Sequence, residues 1–182
     1  MVPLFVRFAL AAQMIYFGML KVIPTQFPSS SLLTLVAPVG NLSLQGLLWT
    51  SIGASQPYQI FTGAVEAVGG LLLITPRTTT LGALICLASM IQVFVLNLTY
   101  DVGVKILSFQ LVLMSLFLLV PASVLTRGEL FQSKRANRIA LALQIAFGAY
   151  LLAAYTSIGH SLWYQDGGGS PKSLLYGIWN IE

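Results

Sequence analysis

The chain has 182 residues, 57% of them hydrophobic and only 8% charged, with a formal net charge of +4, and its mean hydropathy is +0.85. Soluble domains run near 45–50% apolar and about 25% charged, so a water-surrounded globule is excluded and lipid is the expected solvent of one small all-α membrane domain. A lone cysteine, Cys86, excludes an internal disulfide or a Cys-x-x-Cys relay, and a lone histidine, His160, excludes a bis-histidine haem.

Residues 2 to 21 form the first apolar run, long enough to cross about 30 Å of hydrocarbon. It lacks a small-residue cleavage site and carries Arg7 and Lys21, so it reads as a membrane helix and not as a signal peptide. At about 100° per residue, Arg7, Ala11, Met14, Gly18 and Lys21 share one stripe. Lipid disfavours two cations on one stripe, so this face should meet protein or water; the alternative is that both cations snorkel to the headgroups. Residues 22 to 56 are a long connection broken by Pro24, Pro28 and Pro38. Within it, Leu42 to Ile52 is apolar, contains Trp49 and is too short to span, so it should form a short helix at the outer surface, either lying in the interface or folded back over the bundle, with Trp49 toward the lipid or the bundle mouth.

The second helix is expected over residues 57 to 75, with Pro57 in its first turn and Glu66 at its middle. Thr62, Gly63, Gly69 and Gly70 surround that carboxyl at helical spacing, so its face should press against other helices. Residues 78 to 96 form the third, with Gly82, Cys86, Ser89, Gln92 and Asn97 on one broad face. The fourth covers 102 to 121, closed by Pro121, with Asp101, Lys105, Ser108 and Ser115 in a stripe. Residues 122 to 136 are a basic loop with Arg127, Lys134 and Arg135, and Arg138 follows. A fifth helix over 137 to 160 leads to a polar tail, 161 to 182, with Tyr150, Tyr155 and Trp163 as interface anchors. Concentration of Lys and Arg on one side orients the chain with its amino terminus inside and its carboxyl terminus outside.

In that orientation Lys21, Asn97, Tyr100, Asp101 and Lys105 lie at the outer face. Gln92 is on the way down, and Glu66 sits about 13 Å below the face at about 1.5 Å per residue. These groups outline a polar pocket in the outer half of the bundle. A buried unpaired carboxylate is costly, so Glu66 is expected to be protonated or paired with Lys21, Lys105 or Arg7. It is the candidate catalytic, proton-handling residue; Lys21, Lys105, Arg7, Gln92, Asn97, Tyr100 and Asp101 are the candidate substrate-binding residues. A structural staple is the competing role for Glu66, capping for the Asp101–Lys105 pair, and inter-helix hydrogen bonding for Gln92 and Asn97. The sequence holds no metal-ligand cluster, Gly-rich phosphate loop or catalytic triad, and nucleic acid is not an expected partner.

The order Arg7…Gly18-Met-Leu-Lys21, then Phe61-Thr-Gly63…Glu66-Ala-Val-Gly69-Gly70-Leu-Leu-Leu, resembles the DoxX family of small four-helix membrane proteins. The later Arg77-Thr-Thr-Thr-Leu-Gly82-Ala-Leu and Asn97-Leu-Thr-Tyr-Asp101-Val-Gly-Val-Lys105 resemble a bacterial branch of it, and the likeness covers about residues 4 to 121. The fifth helix lies outside that core. The end, Leu175-Tyr-Gly-Ile-Trp179, is similar to the junction where members of the branch enter an extracytoplasmic soluble segment. The resemblance implies a bacterial inner-membrane protein linked to quinone-dependent redox chemistry. With no electron carrier in the chain, it implies quinone as cofactor and a redox partner subunit. A small-solute or proton carrier, and a non-catalytic anchor for an outer segment, are the rival functions.

Overall fold

The computed structural model describes residues 2–119, 134–165, 167–172 and 176–177. Among these the chain is all-helical: α1 (Val2–Val22), α2 (Leu32–Val36), a 3₁₀ turn (Val39–Asn41), α3 (Leu44–Gly53), α4 (Gln56–Ile74), α5 (Thr79–Thr99), α6 (Lys105–Leu119) and α7 (Lys134–Gln165). α1, α4, α5 and α7 are long and apolar enough to cross a membrane. The described part of α6 is a shorter apolar helix of 15 residues, about 22 Å at 1.5 Å per residue. The expected fourth helix, 102 to 121, is therefore only partly in view, since residue 120, Pro121 and residues 122–133, Arg127 included, lie outside the described residues.

Several boundaries differ from the sequence reading; α5, for one, runs on to Thr99 and not only to 96. α6 begins at Lys105 and not at 102, because Asp101 takes a left-handed backbone (φ 54°) that ends α5 and starts a turn. α7 starts at Lys134, inside the expected basic loop, and Arg135 and Arg138 stand exposed on its first turns. It runs on through Gln165, so the start of the expected tail, Trp163 included, is helical. There the Gly167 and Gly169 N–H groups cap it by donating to the Leu162 and Trp163 carbonyls, at 3.1 and 3.2 Å. Asp166 and Trp179 lie outside the described residues.

α1, α4, α5 and α6 form the core. α1 packs most extensively on α4, α5 on α6 and α4, and α7 leans on the outside of α1. The α1–α4 contact is close because glycines face each other there: a Cβ on Gly63 would stand 2.6 Å from the Gly18 carbonyl oxygen. That approach buries the whole predicted stripe of α1, from Arg7 through Ala11, Met14 and Gly18 to Lys21. The larger cluster of the core includes Leu10, Met14, Leu73, Cys86, Met90 and Leu118. α7 docks on α1 through an edge-on Phe8–Phe147 pair (5.6 Å) and a Tyr16–Tyr155 pair (5.2 Å). The outward faces remain apolar and exposed, including Val68, Leu84, Val95, Ile106 and Leu113. A bilayer would cover such a surface, and water would not tolerate it at this extent.

Candidate functional site

α4 carries Glu66 into the bundle at the level where α1 carries Lys21, and the Gly18–Gly63 approach sets that register. Lys21 Nζ donates to Glu66 Oε1, and the two form a salt bridge with side chains only 7% and 1% exposed. Ser89 Oγ of α5 donates to the same oxygen at 3.4 Å. The second carboxylate oxygen, Oε2, is buried and has no hydrogen-bond partner among the described residues. An ion pair so far from water holds together because each charge compensates the other's lost solvation.

Above the pair lies a cavity of about 710 Å³, within the usual range of small-molecule sites, about 300–1,000 Å³. Its base includes Lys21, Glu66 and Ser89; its walls are mostly apolar, with Phe17, Phe61, Val65, Ile85 and Leu111 among them. α3 covers it, contributing Leu48, Trp49 and Ile52. α3 starts where Ser43 caps it, its hydroxyl accepting from the Gly46 N–H at 3.0 Å. The expected short helix with Trp49 is thus present, and Trp49 stacks edge-on against Phe27 at 4.9 Å.

The predicted site residues divide. Glu66, Lys21, Gln92 and Asn97 line the cavity. Gln92 Nε2 donates to Tyr58 Oη of α4 at 3.3 Å, and Asn97 Nδ2 donates to Ser108 Oγ of α6 at 3.1 Å. Both bridge helices while facing the cavity. Tyr100, Asp101, Lys105 and Arg7 do not line it. Tyr100 caps α5, its N–H donating to the Leu96 carbonyl at 2.9 Å. Lys105 is not a partner of Glu66: it bridges to Asp101 four residues earlier, in an exposed pair. The Lys105 ammonium, by hydrogen bond and charge, holds the Asp101 carboxyl below its ordinary range. Arg7 is not a partner of Glu66 either; it is buried nearer the other end of α1, beside the Phe8 ring at 4.7 Å. Among the described residues its Nε and Nη2 have no hydrogen-bond partner. Among the described residues no three His, Cys, Asp or Glu side chains gather as metal ligands.

Sequence reasoning missed Gln59, which is fully buried. Oriented so that both ends are satisfied, its amide donates to the Phe27 carbonyl (3.0 Å) and accepts from the Phe27 N–H (3.2 Å). It fastens the long connection to α4 at Phe27, the residue whose ring Trp49 of α3 packs against. The signal was available, because Gln59 lies two turns before Glu66 on the same helical face. Tyr58 and Phe27 carried no comparable mark.

The described residues thus make a helical protein with four helices of membrane-crossing length and a buried Lys–Glu pair under a roofed, mostly apolar cavity. No family profile matches the chain, and no solved structure does. It is 32% identical over 118 residues to an uncharacterized protein, YwoB, of Bacillus subtilis (strain 168), a match covering 65% of this chain and 75% of YwoB. The chain belongs to the family of YwoB.

Proposed function

We propose that the chain is a DoxX-like protein of the bacterial cytoplasmic membrane, amino terminus inside, whose cavity holds a quinone in a quinone-linked redox system. The observation that carries this is the roughly 710 Å³ cavity with apolar walls and the Lys21–Glu66 pair at its base. The residues fit such a ligand: the walls suit a ring and an isoprenoid tail, and Lys21 and Ser89 bring N–H and O–H donors for a carbonyl. Reduction of a quinone to its quinol takes two electrons and two protons. A redox partner subunit supplies the electrons. Glu66 would hold and pass the proton at the ring oxygen, and Lys21 would compensate the carboxylate whenever it is ionised.

Mass spectrometry of the gently purified protein tests the reading. Bound quinone supports it, a bound small polar solute favours a carrier, and an empty protein that also takes up no added quinone favours an anchor. Glu66→Gln then separates proton handling from stapling. Both predict a lowered melting temperature, because Lys21 loses its charge partner; the first predicts that turnover per folded molecule is abolished, and the second predicts that it stays intact.

A further inference from the structure

The cavity reaches the surface in two places. One is at the end of the bundle, where Gln45 of α3 and Gly103 and Val104 of the α5–α6 turn are both cavity-lining and exposed. The other is on the flank. α4 and α5 are pressed together at one end, where a Cβ on Gly82 would stand 3.0 Å from the Gly69 carbonyl oxygen. Toward the other end, Phe61 of α4 and Ala88 and Gln92 of α5 all line the cavity, yet all three are exposed on the outside of the bundle. The helices therefore leave a slot between them. One hydrogen bond crosses it, Gln92 Nε2 to Tyr58 Oη at 3.3 Å.

The two openings differ in how they are held. The roof is fastened by the Trp49–Phe27 ring contact, by the Gln59 amide on the Phe27 backbone, and by Gly53, where a Cβ would stand 2.6 Å from the Pro28 carbonyl oxygen. The slot is held by a single long, exposed hydrogen bond. It also lies within two helices long and apolar enough to cross a membrane, so its outer lip would face hydrocarbon.

We infer that the slot between α4 and α5 is the entrance, that the occupant is a lipid-dissolved molecule arriving sideways from the bilayer, and that Tyr58 and Gln92 form its latch. An apolar molecule already partitioned into the membrane reaches the slot without crossing water, and leaves it without exposing its tail. The Tyr58 hydroxyl and the Gln92 amide are released when the slot opens and offer the entering headgroup its first polar contacts, one turn of α5 above Ser89 and the Lys21–Glu66 pair. This rests on the cavity being a ligand site, as proposed above.

The test uses Trp49 as reporter, in protein carrying Trp163→Phe, Trp179→Phe and Cys86→Ala, reconstituted in phosphatidylcholine vesicles. Decylubiquinone is the probe, and quenching of Trp49 is followed by stopped flow. Adding Tyr58→Cys and Gln92→Cys and joining them with a bis-methanethiosulfonate linker should slow loading by about tenfold or more, as a locked lid does. Dithiothreitol should restore the rate, which shows that the linked protein remained folded. Gln92→Ala should load faster than the parent. Gln45→Cys carrying a bulky water-soluble adduct should load at the parent rate. Unchanged loading with the linker verified in place, or loading blocked by the Gln45 adduct, overturns the entrance. Absence of any quenching in the parent protein overturns the ligand reading itself, and the entrance with it.

Discussion

Removing one charge of the Lys21–Glu66 pair should hurt more than removing both. The side chains are 7% and 1% exposed, so water cannot take over for a missing partner. Lys21→Met keeps the stem that packs on Gly63, whose Cβ position is 2.5 Å from the Lys21 Cβ. It leaves the Glu66 carboxylate with only Ser89 at 3.4 Å. Breaking a buried pair from one side costs about 3–5 kcal/mol. At about 2–4 °C per kcal/mol for a chain of this size, the melting temperature should fall by about 6–20 °C. Replacing both residues, Lys21→Met with Glu66→Met, removes the uncompensated charge and fills similar volume, so stability should return to within about 1 kcal/mol of the parent. The assay is thermal unfolding of the parent, both single variants and the double variant in one detergent, analysed as a double-mutant cycle. A single variant melting within about 2 °C of the parent, or a double variant no better than the worse single one, would refute the reasoning.

The glycine contact predicts a graded series. Gly63→Ala forces α1 and α4 apart and should cost about 1–3 kcal/mol, whereas Gly40→Ala, with nothing within 4 Å of its Cβ position, should leave the melting temperature unchanged. Asn97→Ala removes the hydrogen bond to Ser108 and should destabilise by roughly 1 kcal/mol, read from thermal unfolding in the same detergent. The Asp101 carboxyl is held below its ordinary range by Lys105, so its contribution is present above the unfolded-state value and is lost as pH falls through the folded one. The small stability difference between the parent and Asp101→Asn should therefore shrink as the medium is taken below about pH 4, and should shrink with salt at neutral pH. For the proposed orientation, an impermeant thiol reagent on intact cells should modify Ser170→Cys and not Ser133→Cys, with the buried Cys86 as a silent background.

Membrane character, helical class and the buried stripe of α1 were legible from residue order alone. Hydrophobic runs and a period near 3.6 state which side chains share a face, and a bundle with apolar outer surfaces must turn its polar stripe inward. Glu66 among glycines announced a closely packed face in the same way, and the Trp49 segment announced a helix too short to span. Periodicity says nothing of how one face is rotated or shifted against another, and that is what the tertiary structure decided. It brought Lys21 to Glu66, kept Lys105 with its own neighbour Asp101, and left Arg7 near the other end of α1. It also set Gln59 on the Phe27 backbone and opened the slot between α4 and α5. A cation's partner follows from the register in which backbones meet, and here the facing glycines Gly18 and Gly63, distant in the chain, set that register for Lys21 and Glu66.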